Sequence, residues 1–103
     1  MIVGTTPTHT FNLKISTDNI LKVRIVYAQD DNVLFVKTLD NGVSLEDKAI
    51  IVKLTQQDTF LIDHNKPVEI QIRALSKNGT ALSTIPIKKS AIKCLESEVI
   101  KWF

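Results

Sequence analysis

The stretch that decides the fold is Lys53–Ser83, KLTQQDTFLIDHNKPVEIQIRALSKNGTALS. Apolar and polar residues alternate from Val68 to Ala74, which is the pattern of a β-strand with one face in water. Asn78-Gly79 then provides the left-handed backbone of a tight hairpin, and Thr80 begins the return strand. The stretch therefore predicts antiparallel β structure, and it contains nothing that identifies a reaction.

The residues before this strand predict a short capped turn. Thr55-Gln56-Gln57-Asp58 fits the capping-box pattern, in which the Thr55 and Asp58 side chains bond to each other's backbone N–H groups. Such a turn carries a chain from one sheet to another. We expect Phe60 and Leu61 to enter the core directly after it.

The first half of the chain predicts a second hairpin. Leu21–Gln29 and Val33–Thr38 flank the turn Asp30-Asp31-Asn32. Ile51 makes the second face of Ala49–Leu54 apolar, so this strand is expected to be central in its sheet. On the strand Leu21–Gln29, we expect the inward-facing residues to be Leu21, Val23, Ile25 and Tyr27. The remaining predicted strands are Thr10–Ile15, an edge strand Val43–Leu45 and Thr80–Lys88. Two short final segments follow, Ser90–Leu95 and Val99–Phe103, with a short helix at Ser90–Glu98 as the alternative for part of this tail.

Some seven short strands separated by turn signals predict a single all-β antiparallel sandwich that spans residues 1–103. Hydrophobic residues make up 44 % of the chain and charged residues 23 %, as in ordinary globular domains. A domain of this size buries enough surface to fold without metal or disulfide. Cys94 is the only cysteine, so no disulfide framework exists, and we expect it to be a packed hydrophobe in a protein made in a reducing cytoplasm.

Charge and hydropathy argue against two classes of partner. The net charge is +2, and the basic residues are scattered, with only Lys88-Lys89 adjacent, so nucleic-acid binding is not expected. No apolar run approaches the roughly 20 residues of a membrane-spanning helix. The start MIVGTTPTHTF lacks the basic and apolar regions of a signal peptide, so none is expected.

Candidate catalytic and metal-binding groups are few. His9 and His64 are the only histidines, and Asp63 precedes His64 in a polar turn that solvation explains. No serine lies in a nucleophile elbow, and three glycines provide no phosphate loop. Calcium at Asp30-Asp31-Asn32 or Asp40-Asn41 remains an alternative to simple turn formation. We therefore expect a protein that is not an enzyme, with no catalytic, metal or cofactor-binding residue.

Apolar residues outside the expected core point to assembly. Val26, Ala28, Leu34 and Val36 occupy nominally outward strand positions, and the pair Trp102-Phe103 is either packed on the core or available to a partner. A carbohydrate-binding surface normally shows several exposed aromatic side chains. Here the few aromatic residues are mostly assigned to strand interiors, so a glycan ligand lacks support.

Three segments together resemble a family of small uncharacterised or virion-associated proteins of tailed bacteriophages and prophages of low-GC Gram-positive bacteria. They are GTTPTHTF at Gly4–Phe11, VRIVYAQ at Val23–Gln29, and LTQQDTF at Leu54–Phe60 with VEIQIR at Val68–Arg73. The resemblance spans about residues 2–100 and carries no catalytic motif. It implies a virion component with an immunoglobulin-like or baseplate-like sandwich, made in the bacterial host cytoplasm and incorporated in a virion.

The N-terminal residues 1–10 are a candidate arm. Pro7 forces Thr6 towards an extended conformation, and threonines favour β geometry. Such an arm pairs either with its own sheet or with a neighbouring subunit. We expect contacts with other virion proteins, or with further copies in a homo-oligomer, at Thr5, Thr6, Pro7, Val26, Leu34, Val36, Trp102 and Phe103.

The alternative function is a binding module that recognises a cell-surface glycan or peptide. Its ligand would contact loops at one end of the sandwich, at Asp30-Asp31-Asn32 or Asp63-His64-Asn65.

Overall fold

The structure is a computed structural model that describes residues 1–2, 4–12, 17–83 and 87–89. These residues form two antiparallel sheets, of three and five strands, and one short helix. The predicted antiparallel β structure in a sandwich-like arrangement is therefore confirmed, and the helix departs from the all-β prediction. In chain order the elements are β1 (Thr8–Asn12), β2 (Ile20–Gln29), β3 (Asn32–Thr38), β4 (Val43–Glu46), β5 (Ala49–Lys53), α1 (Gln56–Phe60), β6 (Val68–Ser76), β7 (Ala81–Ser83) and β8 (Ile87–Lys89), with a 3₁₀ turn at Thr17–Asn19.

The smaller sheet has the order β1-β5-β4. β5 is central, as its two apolar faces predict, and β4 is the expected edge strand. The larger sheet has the order β3-β2-β6, and both β7 and β8 pair with the other side of β6. β7 pairs with residues 73–75 and β8 with residues 68–70, so β6 bonds to three strands.

The core lies on the inner faces of β2, β5 and β6. The alternation that predicted β6 is confirmed, because Val68, Ile70 and Ile72 are buried whereas Arg73 is exposed. Burying each such aliphatic side chain contributes about 1.5–3 kcal/mol. The buried apolar cluster consists of Ile20, Val23, Ile25, Tyr27, Val43, Ile50, Val52, Leu54, Ile62, Val68, Ile70 and Ile72.

The hairpin between β6 and β7 is present, and its turn differs in detail from the prediction. Gly79 alone has a positive φ, of 89°. Its N–H donates to the Ser76 carbonyl at 3.0 Å, and the Ser76 N–H donates to the Thr80 carbonyl at 2.9 Å. This is a three-residue loop that closes with a glycine bulge, so Asn78 keeps an ordinary backbone conformation.

Three apolar residues lie where the simple alternation does not place them. Leu21 is 50 % exposed, because an irregularity between Ile20 and Lys22 makes Ile20 the inward residue. Leu61 is 57 % exposed, since it follows the last residue of α1 and Ile62 enters the core instead. Leu34, predicted to face outward, packs against the core because the β2–β3 register shifts there.

Several predictions concern residues outside the described part of the chain. They concern the end of the first strand at residues 13–15, Cys94, the alternatives for residues 90–98, and Trp102-Phe103.

Candidate interaction surfaces

The N-terminal segment Gly4–Pro7 is fastened to its own domain. β1 pairs with β5, and the Leu54 N–H donates to the Pro7 carbonyl at 3.0 Å. Of the two pairings open to an arm, the structure adopts the one within the chain. Thr5 and Thr6 remain exposed, and Pro7 is half-buried.

Thr59 is the attachment point of this segment on α1. Its side chain is fully buried, and its Oγ1 accepts a hydrogen bond from the Gly4 N–H at 2.9 Å. The same hydroxyl lies 2.9 Å from the Thr5 carbonyl oxygen and 3.1 Å from that of Gln56. One side chain therefore holds both the N-terminal segment and the first turn of the helix.

The helix begins with the predicted capping box. The Asp58 N–H donates to Thr55 Oγ1 at 3.1 Å, and the Thr55 N–H donates to Asp58 Oδ2 at 2.9 Å. The sequence pattern alone was sufficient to find this feature.

Asp58 also forms an ion pair that the sequence did not reveal. The Lys37 ammonium, on the inner face of β3, lies 2.5 Å from Asp58 Oδ2. The Lys37 side chain is 4 % exposed and that of Asp58 16 %. Burial alone would raise the pKa of Asp58. The hydrogen bond from Lys37 and the donors of Thr55 outweigh this effect, so the pKa lies below its ordinary value.

Tyr27 connects the two sheets beside this ion pair. Its hydroxyl is hydrogen-bonded to His9 Nδ1 of β1 at 2.8 Å, and its ring stacks on Phe35 at 4.7 Å between centroids. Burial, and then the negative charge of Asp58, raise the pKa of Tyr27 well above its ordinary value. The hydroxyl therefore stays protonated at neutral pH. The Tyr27–His9 hydrogen bond joins the two sheets, and the Lys37–Asp58 ion pair joins β3 to the helix.

Two loops nominated for ligand recognition are brought together at one end of the protein. Gln29 is buried, and its Nε2 donates to the carbonyl oxygens of Asp63 and Lys66 at 2.7 and 3.0 Å. Its Oε1 accepts from the Asp63 N–H at 2.8 Å. Lys66 also forms an ion pair with Asp30 at 2.8 Å. The hydrogen bond to Asp30 and the negative charge of Asp30 raise the pKa of Lys66 above its ordinary value. Asp31 and His64 remain exposed.

Within residues 1–2, 4–12, 17–83 and 87–89, no group of three or more His, Cys, Asp or Glu side chains is placed to hold a metal ion. Asp30 and Asp31 both have positive φ, of 49° and 64°, as the two-residue turn between paired Gln29 and Asn32 requires.

The outer face of the five-stranded sheet carries an apolar strip, defined by Val26, Ala28, Val33 and Val36. Val26 pairs with Val36 across β2 and β3, and Ala28 pairs with Val33. Val33 is 61 % exposed, and the others are half-buried. Val26 and Val36 are thus neighbours on the outer face of the sheet. Of the other predicted contact residues, Leu34 is half-buried and packs against the core, and Trp102 and Phe103 lie beyond the described residues.

A second feature of this face was missed by sequence reasoning. Arg24 on β2 lies directly opposite Arg73 on β6. The two residues are 49 positions apart in sequence, so only the strand register brings them together. On their outer sides Arg24 pairs with Thr38 and Arg73 with Ser83. We call Thr38, Arg24, Arg73 and Ser83 the donor row, because its side chains carry hydrogen-bond donors and no carboxylate.

The described residues contain no helix that is both long and apolar enough to cross a membrane. Searches among protein-family models, curated proteins and solved structures gave no match to this chain. The candidate surfaces therefore rest on the geometry above.

Proposed function

We propose that this protein is a non-enzymatic virion structural or accessory protein of a tailed phage or prophage. It acts by assembly with other virion proteins, or with further copies of itself, in a tail, baseplate or head, and it needs no cofactor. The resemblance of its three segments to phage proteins supports this role. The two packed antiparallel sheets are consistent with an immunoglobulin-like or baseplate-like sandwich, which is part of the proposal.

The observation that carries the assembly role is the apolar strip on an outer sheet face. Apolar side chains that are grouped on a surface mark sites of protein contact. The strip lies on β2 and β3, and among the described strands β3 has a neighbour on one side only. A partner therefore has both apolar side chains and a strand edge to bind. A stable contact needs to bury about 1,000 Å² or more in total.

Analysis of purified particles tests this function. Peptide mass spectrometry of density-gradient fractions from a culture that produces the phage should find the chain at a fixed ratio to tail or head proteins. Its absence from intact particles would overturn the virion role. This protein would be made in the host cytoplasm before it joins the particle.

A charge substitution tests the apolar strip. Val33→Glu should lower incorporation into particles without a change in thermal midpoint, because Val33 is already mostly exposed. Leu21→Glu is the matched control, since Leu21 is also exposed but lies outside the strip. Equal incorporation of both variants would remove the strip from the interface. Sedimentation of the purified chain then separates self-assembly from binding to another protein.

The joined loops support a second candidate, a module that binds a cell-surface glycan or peptide. Gln29 holds the two loops together, and the Asp31 and His64 side chains are both exposed. A glycan array probed with the purified chain should show binding that Asp31→Ala or His64→Ala abolishes. An array without any signal would leave the assembly role as the better supported one.

A further inference from the structure

We propose that the donor row binds a short carboxylate-bearing segment of a partner protein. This inference specifies the chemistry of the partner and rests on the proposed assembly role. The surface concerned is the outer face of the five-stranded sheet, next to the apolar strip.

The arrangement of charge in the donor row is unfavourable for the isolated chain. Side chains directly opposite on antiparallel strands have Cβ atoms about 4.5–5.5 Å apart, and like charges there are destabilising. Arg24 and Arg73 occupy such a pair, and both are exposed. Neither guanidinium belongs to an ion pair with any described residue. A bound anion would remove this repulsion.

The surroundings of the two arginines fit a protein segment. A surface groove of about 250 Å³ is lined by Lys22, Arg24 and Arg73 and by an apolar wall of Ala74, Leu75, Ala81 and Leu82. Each guanidinium can donate two parallel hydrogen bonds to one carboxylate. The apolar wall can take an aliphatic side chain. A segment in which acidic and aliphatic residues alternate meets both requirements.

The acidic residues nearby limit the size of the ligand. Asp40 lines the adjoining groove with Lys22 and Arg24. Glu69 lies on the same face of β6, four residues before Arg73, and it is opposite Lys88 on β8. A long polyanion such as a nucleic acid would meet these carboxylates, and the described residues of this face include no aromatic side chain for base stacking. A short segment avoids them.

A second copy of the chain is a poorer occupant. The chain has a net charge of +2, and its exposed Asp30 is already paired with Lys66, so a second copy offers less complementary charge. The carboxylates that neutralise Arg24 and Arg73 are therefore expected on a different protein.

The test uses the whole isotope-labelled chain and a short synthetic peptide of alternating Glu and Leu. Amide resonances near Arg24, Arg73 and Ser83 should shift, and the shifts should saturate and weaken as salt is added. The same peptide with Gln in place of Glu should leave them unchanged. Arg24→Gln and Arg73→Gln should each weaken binding about tenfold or more. Lys53→Gln, an exposed change on the other sheet, should not.

Thermal unfolding adds a readout that a purely structural arginine would not give. Arg73→Gln should raise the midpoint of the free chain, because it removes the repulsion, while it weakens peptide binding. A lowered midpoint would show that Arg73 stabilises the fold and would count against the proposal.

Three outcomes of the peptide titration would each overturn the inference. They are no saturable shift, equal shifts with the Gln peptide, or shifts centred away from the donor row. Concentration-dependent shifts at the same amides without peptide would identify a second copy as the occupant and would also overturn the inference.

Incorporation into particles is a separate result. A chain found in particles without peptide binding leaves the virion role intact, whereas binding without incorporation overturns the virion role alone.

Discussion

The ammonium of Lys37 contacts the carboxylate of Asp58 at 2.5 Å and thereby joins an edge strand of one sheet to the only helix among the described residues. The two partners are not equally buried. Lys37 is 4 % exposed, and Asp58, at 16 %, also has Thr55 as a hydrogen-bond partner. Loss of one partner should therefore differ in cost from loss of the other.

We expect Asp58→Ala to reduce the free energy of unfolding by about 3–5 kcal/mol, because it leaves the buried Lys37 ammonium without a counter-charge. Lys37→Met should cost clearly less, since Asp58 keeps its contacts with Thr55 and some contact with water. Urea unfolding of both variants and of the double variant measures the coupling. Equal losses from the two single changes would contradict this asymmetry.

The raised pKa of Tyr27 predicts loss of stability at alkaline pH. A group whose pKa is higher in the folded state stabilises the protein below the unfolded pKa, about 10 for tyrosine, and this contribution is lost as the pH rises further. Tyr27 is the only tyrosine, so its ultraviolet absorbance reports its ionisation directly. Tyr27→Phe should flatten the alkaline fall in stability, and ionisation of Tyr27 near pH 10 in the folded protein would contradict the prediction.

Thr59→Val should release the N-terminal segment. The change keeps the shape of the side chain but removes the acceptor for the Gly4 N–H and the donor to the Thr5 carbonyl. We expect a loss of about 1–3 kcal/mol and faster hydrogen exchange across β1. Thr6→Val is the control, because Thr6 is exposed. Unchanged exchange in β1 would show that its pairing with β5 is sufficient to hold the segment.

Two glycines should respond differently to alanine. A Cβ at Gly42 would lie 2.7 Å from the Lys53 carbonyl oxygen, whereas at Gly79 it would meet nothing within 4 Å. Both have positive φ, of 86° and 89°. Gly79→Ala should cost about 1 kcal/mol from backbone strain, and Gly42→Ala clearly more, because β5 must also move. Thermal midpoints rank the two, and a reversed order would contradict the steric argument.

Local patterns were sufficient to predict much of the fold. The alternation in β6, the edge position of β4, the central position of β5 and the capping box at Thr55 each depend on neighbours in sequence. Leu21 and Leu34 were assigned to the wrong faces because a strand irregularity moves a residue from one face to the other. The sequence carries no local mark of those irregularities.

The partner-contact predictions show the same limit. Val26 and Val36 are neighbours because both lie on the outer face of one hairpin, and the turn of that hairpin can be predicted from the sequence. The pairing of Arg24 with Arg73 depends on the register between β2 and β6, which are separated by some forty residues of chain. The burial of Lys37 likewise depends on α1 placing Asp58 beside β3.

The attachment of residues 4–7 to Thr59 has a consequence for biosynthesis. During translation the N-terminal segment leaves the ribosome before its partners at residues 54 and 59 have been made. β2 and β3 can pair as soon as their hairpin emerges, but β1 must wait for β5 and the helix. Residues 4–7 are thus synthesised well before their native partners, and for that interval they are free to pair with another strand edge.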